Sequence, residues 1–314
     1  MVTNVCVMLG DELAKYHFGE SHPFGPERYR AFLQEFNKRN LKNRVCLQSP
    51  QIATDEQLLL FHTQDYIDKV RVQSSIGEGY LDGGDTSART GIDDAACWVV
   101  GTALHAIDKI MQGDCNKAFT PIAGLHHAHR DSAAGFCVFN DCGIAIEYLR
   151  QHYQVQRIAY VDIDAHHGDG VFYAFESDAD LCFVDFHQDG NTLYPGTGFI
   201  NETGKGKAVG KKLNIPLPPN SSDGLAMKFW EQAEKFIDHS KPEFILLQSG
   251  ADSLLGDPIT QLNLSSKFHA HVTKRLSYLA EKHCEGRLMV MGGGGYNLEN
   301  IKMVWNDVIE MLVE

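Results

Sequence analysis

Although the chain has eight cysteines (Cys6, Cys46, Cys97, Cys115, Cys137, Cys142, Cys182 and Cys284), none forms a Cys-x-x-Cys pair and several sit inside apolar runs. A disulfide-stapled scaffold is therefore not expected; these are small buried hydrophobes suited to a reducing compartment. Positive charge is scarce: 28 Lys and Arg stand against 41 Asp and Glu, a formal net charge of −13. That balance disfavours nonspecific nucleic-acid binding and attachment to anionic membranes, and it tolerates cationic substrates. No apolar run reaches the roughly 18 residues of a membrane span, and Val2 to Leu9 is too short and lacks the basic flank of a signal peptide. A cytoplasmic protein is the expectation. Repeats, low-complexity tracts and linker-like runs are also missing, so residues 1–314 are expected to form one domain. Hydrophobic residues make up 43% and charged residues 22%, the balance of a soluble globular enzyme.

Apolar, β-prone segments recur at 4–9, 44–47, 117–122, 157–163, 180–186, 213–217, 243–249 and 286–291. Helical patterns fall between most of them, at 27–38, 92–112, 141–152, 223–238, 265–283 and 298–313. Within 92–112, Ala95, Ala96, Val99, Ala103, Ala106 and Ile110 recur at helical spacing and predict a core-facing stripe. Strands alternating with helices predict an α/β fold: an open, mainly parallel sheet of about eight strands covered by helices on both faces. The stretches 71–91 and 187–212, rich in Gly and polar residues, read as irregular loops around a site.

The chemistry concentrates after the segment Arg157-Ile158-Ala159-Tyr160-Val161. Asp162-Ile163-Asp164-Ala165-His166-His167-Gly168-Asp169-Gly170 puts three carboxylates and two histidines into nine residues. Residues two apart on an extended backbone point the same way, so Asp164 and His166 can converge on one divalent ion. In open parallel sheets ligands gather beyond the carboxyl ends of strands. Three further polar clusters follow strand-like runs there: Leu125-His126-His127-Ala128, Ser249-Gly250-Ala251-Asp252 and Gly292-Gly293-Gly294-Gly295-Tyr296. Asp164, His166 and Asp252 make a three-ligand set with an open position, suited to Zn²⁺, with Fe²⁺ or Co²⁺ as substitutes. His126 and His127 are candidate general acid–base groups, and Asp162 and Asp169, not needed by a single ion, are available to orient their imidazoles. The glycine run, Gly294 included, lets backbone pass close to substrate, and Tyr296 can donate its hydroxyl to an oxyanion. A phosphate-binding loop is set aside because the Lys and Ser/Thr of a P-loop do not follow. Gly135-Phe136 and Tyr194-Pro195-Gly196 each set an aromatic ring beside glycine, two candidate walls for an alkyl-sized slot.

These motifs, in this order from His22-Pro23 to Tyr296, resemble the zinc-dependent histone deacetylase superfamily, which shares its fold with arginase. Leu125-His126-His127-Ala128 and Gly256-Asp257-Pro258 are most similar to the acetoin-utilisation-type deacetylases of prokaryotes. The resemblance implies one catalytic Zn²⁺ on Asp164, His166 and Asp252, with His126 and His127 as acid–base residues supported by Asp162 and Asp169. It implies an acyl-lysine tunnel walled by Phe136 and Tyr194, the second of which is commonly Phe in relatives. It implies a structural K⁺ beside Asp162, Asp164 and His166, completed by Asp185 and Phe186, and a rim acid at Asp85. The dinuclear site of the arginase branch is not matched: Asp169 falls one residue late, and Gly250 stands where the later acid pair begins.

The expected reaction is hydrolysis of an acetyl or other short acyl group from ε-N-acyl-lysine in a protein or peptide. An acetylpolyamine or another small acylated amine is the alternative substrate. A non-enzymatic acyl-lysine binding module is disfavoured because ligands, histidines and Tyr296 are all present.

Overall fold

The β-prone segments are apolar on consecutive residues rather than alternate ones, so each needs cover on both faces. The computed structural model, which describes residues 4–19 and 21–314, meets that need with strands β1 (Val5–Met8), β2 (Cys46–Gln48), β3 (Lys117–Thr120), β4 (Ile158–Asp162), β5 (Leu181–Gln188), β6 (Lys212–Leu217), β7 (Phe244–Gln248) and β8 (Leu288–Met291). They pair side by side, all parallel, in the order β2-β1-β3-β8-β7-β4-β5-β6. Every residue of β1, β4, β5, β7 and β8 is buried.

The cover consists of α1 (Glu27–Lys38), α2 (Asp55–Leu58), α3 (Gln64–Ile76), α4 (Ile92–Met111), α5 (Asp141–Tyr153), α6 (Asp169–Ala174), α7 (Asp223–Ser240), α8 (Ser266–His283) and α9 (Leu298–Val313). One layer runs α1–α9–α8–α7, each helix packed on the next; α4 packs on α5 and on β1, β3 and β8. Phe32 of α1, Trp305 of α9 and Phe119 of β3 meet with ring centroids 5.7–6.2 Å apart. At the other end of that layer, Phe186 of β5 meets Trp230 of α7 at 6.0 Å and Phe268 of α8 at 5.5 Å. The stripe predicted on α4 is buried along its length. All eight cysteines are free. Among the described residues, no helix is long and apolar enough to cross a membrane.

Among the differences from the sequence reading, which include the unexpected short helices α2 and α6, three boundaries have a clear local reason. The segment 71–91 is not wholly irregular, because α3 runs to Ile76, started by the Thr63 side chain accepting from Tyr66 N–H and stopped by left-handed Gly77. β3 ends at Thr120 rather than 122: Pro121 has no N–H for the ladder, and Ile122 has φ 68°. β5 runs on to Gln188 because β6 pairs with it as far as Leu217.

The strand order decides where chemistry can collect. β3, β8, β7 and β4 are consecutive neighbours, and their carboxyl ends lead into the four polar clusters at 125–128, 292–296, 249–252 and 162–170.

Candidate active site

After β4, the chain turns at Asp162 and places Asp164 and His166 over the strand ends. His166 Nδ1 lies 3.1 Å from Asp164 Oδ1 and 3.1 Å from Asp252 Oδ2. Donor atoms of Asp164, His166 and Asp252 all fall within 4.8 Å of one another, and all three residues are buried. Burial, and after it the charge of Asp164, raises the Asp252 carboxyl to about 7. Burial opposes a charge on His166, but Asp164 and Asp252 outweigh it and lift the imidazole to about 10. So concentrated a set of buried acceptors, with two carboxylates on one imidazole nitrogen, is short of positive charge. An N,O,O donor set of this kind fits a borderline divalent cation.

Backbone and neighbours fix the candidate ligands. Asp164 Oδ2 accepts from Gln248 Nε2 at 2.8 Å and from Gly294 N–H at 2.9 Å; Asp252 Oδ1 accepts from Ala165 N–H at 2.9 Å. Glycine is required at two places here. A Cβ on Gly250 would collide with the Asp164 carboxylate, and one on Gly294 with Asp252 Oδ2. The arginase-like acid absent at Gly250 thus has no room for any side chain.

His126 and His127 approach through their Nε2 atoms, 3.1 Å apart. Behind them, His126 Nδ1 meets Asp162 Oδ2 at 2.8 Å and His127 Nδ1 meets Asp169 Oδ1 at 2.6 Å. Each carboxylate is placed to accept an Nδ1–H, which leaves the Nε2 atoms as the facing, exchangeable positions of the pair. Burial opposes charge on both rings. For His126 it is outweighed by Asp162 and Asp164, which raise the pKa to about 10. For His127 it is reinforced by the charge of His126, and the pKa falls to about 4 despite Asp169. The two rings are thus pushed in opposite directions, His126 toward its charged form and His127 toward its neutral one. Asp162 also accepts the Tyr160 hydroxyl at 2.6 Å.

Tyr296 joins these groups around a cavity of about 20 Å³, with Gly135, Cys137 and Leu125 among its other walls. Burial first, then the charge of Asp252, keeps the Tyr296 phenol well above the usual tyrosine range, so it stays a hydroxyl donor. Wider clefts of about 400 and 480 Å³ lie against α7, away from these strand ends. Phe136 and Tyr194 border the cluster from two sides. The Tyr194 ring lies 5.2 Å from that of His127, and the Phe136 ring 5.9 Å from that of Tyr296. Gly135, at φ 51°, is pinched between: a Cβ there would come within 2.5 Å of the His127 ring and 2.9 Å of Tyr194. Phe136 itself has φ 66° and is held by Tyr16 Oη–H to its carbonyl (2.7 Å) and by its N–H to Thr86 Oγ1 (3.1 Å). Such a strained wall persists only because both ends of its peptide are tied.

The residues expected to hold a monovalent cation lie just beneath. Asp185 accepts from Gly168 N–H at 2.9 Å and meets His187 Nδ1 at 2.7 Å, while the Phe186 ring turns away to Trp230 and Phe268. The Phe186 ring thus lies apart from these polar groups. Asp85 sits on an exposed loop whose N–H groups at 84, 85 and 86 all converge on Asp82 Oδ1 at 2.9 Å.

Several supporting residues carried no sequence signal. Asn140 donates to the carbonyls of His126 (3.2 Å) and Ala128 (2.8 Å), and Asp141 accepts from Gly124 and Leu125 N–H at 2.9 and 2.7 Å. Together, they grip the histidine loop on both sides. Arg28, buried against the Phe24 ring, donates to the carbonyls of Gly295 (2.7 Å) and Gly293 (2.6 Å). As an N-cap and a helix arginine they are ordinary in sequence; only the fold reveals what they hold.

A family model described as the histone deacetylase domain matches residues 22–312. The chain belongs to the histone deacetylase family. It is 35% identical over 291 residues to the acetoin utilization protein AcuC of Bacillus subtilis (strain 168), covering 90% of this chain and 75% of that one. With a probable deacetylase of Archaeoglobus fulgidus it shares 36% identity over 303 residues, 95% of this chain and 82% of the other. The HDA15 HD domain superposes with a TM-score of 0.89 at 25% identity, over 99% of this chain and 90% of that one. Fold and family thus agree with the resemblance drawn from the motifs, and the chain is an enzyme of the deacetylase type.

Proposed function

We propose that this histone deacetylase family member is a zinc-dependent amidohydrolase that removes acetyl groups from ε-N-acetyl-lysine. The observation that carries the proposal is one small cavity lined by Asp164 and His166 of the three-donor cluster, by the carboxylate-backed histidine pair and by Tyr296. Asp164, His166 and Asp252 would hold the Zn²⁺, which when bound supplies polarisation of the amide carbonyl and a lowered pKa of water. We also assign a structural K⁺ to Asp162, Asp164, His166, Asp185 and the Phe186 backbone, as the family resemblance implies.

The remaining chemistry belongs to side chains. Phe136 and Tyr194 confine the alkyl stem and exclude bulk water. As water adds to the amide carbon, neutral His127 takes its proton through Nε2, while Asp169 holds the Nδ1 proton and steadies the imidazolium. Tyr296 donates its hydroxyl to the oxygen that gains charge. The amide nitrogen leaves only when protonated, so the proton then moves from the histidine pair to the amine, yielding free lysine and acetate. Protonated His126, fixed by Asp162, keeps positive charge beside the developing anion.

Acetate release from an acetyl-lysine peptide, assayed beside acetylpolyamines, tests the reading. Zinc-dependent turnover of the peptide supports it. Turnover of acetylpolyamines alone transfers the same machinery to a small cationic substrate, which the net charge of −13 also suits. Inertness toward every acyl amine at full metal occupancy contradicts it.

A further inference from the structure

Tyr296 follows four glycines, two of which have φ of 69° and 123° at Gly293 and Gly295, so its own sequence does little to aim it. Its direction is set from another loop. Asp257 is 7% exposed, and its Oδ2 accepts the Tyr296 N–H at 2.8 Å while Oδ1 accepts the Ile259 N–H at 3.1 Å. Asp257 therefore closes a short turn with one oxygen and fixes the peptide of Tyr296 with the other.

The same segment is anchored to the rest of the site. Thr260 Oγ1 donates to the Asp252 carbonyl at 2.5 Å, and Gln261 N–H to Gln188 Oε1 at 2.9 Å. Asn297 Nδ2 donates to the Gly256 carbonyl at 2.9 Å, and Ala251 N–H to the Gly294 carbonyl at 2.9 Å. The loop after the Asp252 ligand and the loop carrying Tyr296 thus form one hydrogen-bonded unit, with Asp257 at the joint nearest the tyrosine.

We propose that Asp257 is a positioning residue for Tyr296: its carboxylate fixes the tyrosine peptide so that the hydroxyl meets the oxyanion. This rests on the deacetylase reading above. Without Asp257, Arg28 still holds the Gly293 and Gly295 carbonyls, but the Tyr296 N–H loses its acceptor and the peptide that aims the ring is no longer fixed. A displacement on the order of 1 Å at a reacting group costs about 100-fold in rate. The loss falls on kcat rather than KM, since the oxyanion exists only in the transition state.

The test is a double-mutant cycle on the metal-replete enzyme with an acetyl-lysine peptide, using Asp257→Ala, Tyr296→Phe and the pair. Asp257→Ala is expected to lower kcat by about 10- to 100-fold with KM within about twofold. In the Tyr296→Phe background the same change is expected to cost less than about twofold, because the hydroxyl it positions is already gone. Asp257→Asn keeps one acceptor oxygen and is expected to recover part of the kcat. If melting curves show that Asp257→Ala does not fold, Asp257→Asn carries the cycle. Fully additive losses, or a loss confined to KM, overturn the proposal while leaving the deacetylase reading intact. A Tyr296→Phe enzyme with wild-type turnover instead removes the oxyanion role on which it rests.

Discussion

At the scale of single residues, the site depends on groups kept in one protonation state and one place. Burial beside Asp252 keeps the Tyr296 phenol protonated, so on the proposed mechanism Tyr296→Phe removes a hydroxyl used only as charge develops. The account predicts a fall in kcat of about 10²- to 10³-fold with KM little changed, read from steady-state kinetics on an acetyl-lysine peptide. Gly250 is a sharper case, because it has no side chain of its own to act with. A methyl group there runs into Asp164, which must move away from His166 and Asp252. Gly250→Ala should therefore weaken metal affinity by about 10-fold or more, measured by competition with a chromogenic chelator. Wild-type affinity in that variant would show that Asp164 is not held as tightly as its contacts indicate.

Elements determine which of these residues were legible beforehand. α1, α4, α5, α7, α8 and α9 were readable because each presents a long apolar stripe, as with Phe32 and Phe36 or Ala96, Val99 and Ala103. α3 was not, since Tyr66, Ile67 and Val70 are scattered among charged residues and run into Gly77 and Gly79. The ligands and histidines were readable as polar clusters after apolar strands. Asn140, Asp141, Gln248 and Arg28 were not, because they act on groups that other segments bring to them, the Asp164 carboxylate for Gln248 and backbone for the others, up to 267 positions away for Arg28. α5 illustrates how such support propagates. His62, buried, accepts the Asn140 N–H on Nε2 at 2.9 Å and reaches the Arg130 carbonyl with Nδ1 at 3.3 Å. Burial lowers its pKa from 6.5 to about 3, and a proton on Nε2 would leave the Asn140 N–H without an acceptor. The unfolded chain takes up that proton below 6.5 and the folded chain only near 3, so this stability is complete above 6.5 and is lost as pH falls toward 3. Urea unfolding at several pH values should show wild type losing up to about 1.4 kcal/mol per pH unit more than His62→Gln between those limits. Parallel pH dependences would mean that His62 is not the neutral support described.

On the scale of the whole molecule, the sheet converts four separated segments into one site. β3, β8, β7 and β4 lie side by side, so His126 and His127, Tyr296, Asp252, and Asp164 with His166 arrive at adjoining strand ends. Composition and periodicity gave the α/β class but not this order, because strand adjacency depends on which apolar faces match in three dimensions. The arrangement gathers buried carboxylates on an already acidic chain, and a bound cation would relieve them. A ligand bound only by the folded state adds about 2.7 kcal/mol at a hundred times its dissociation constant, so stripping the metal should lower the melting temperature and readdition should restore it. The central claim is that Asp164, His166 and Asp252 hold one divalent ion on which amide hydrolysis depends. The most direct measurement titrates chelator-stripped protein with Zn²⁺ while following bound metal and acetate release together. The account predicts that activity rises from zero to a plateau at one ion per chain, and that His166→Ala neither binds nor turns over. Full activity in the stripped protein, or a plateau only at two ions per chain, would contradict it.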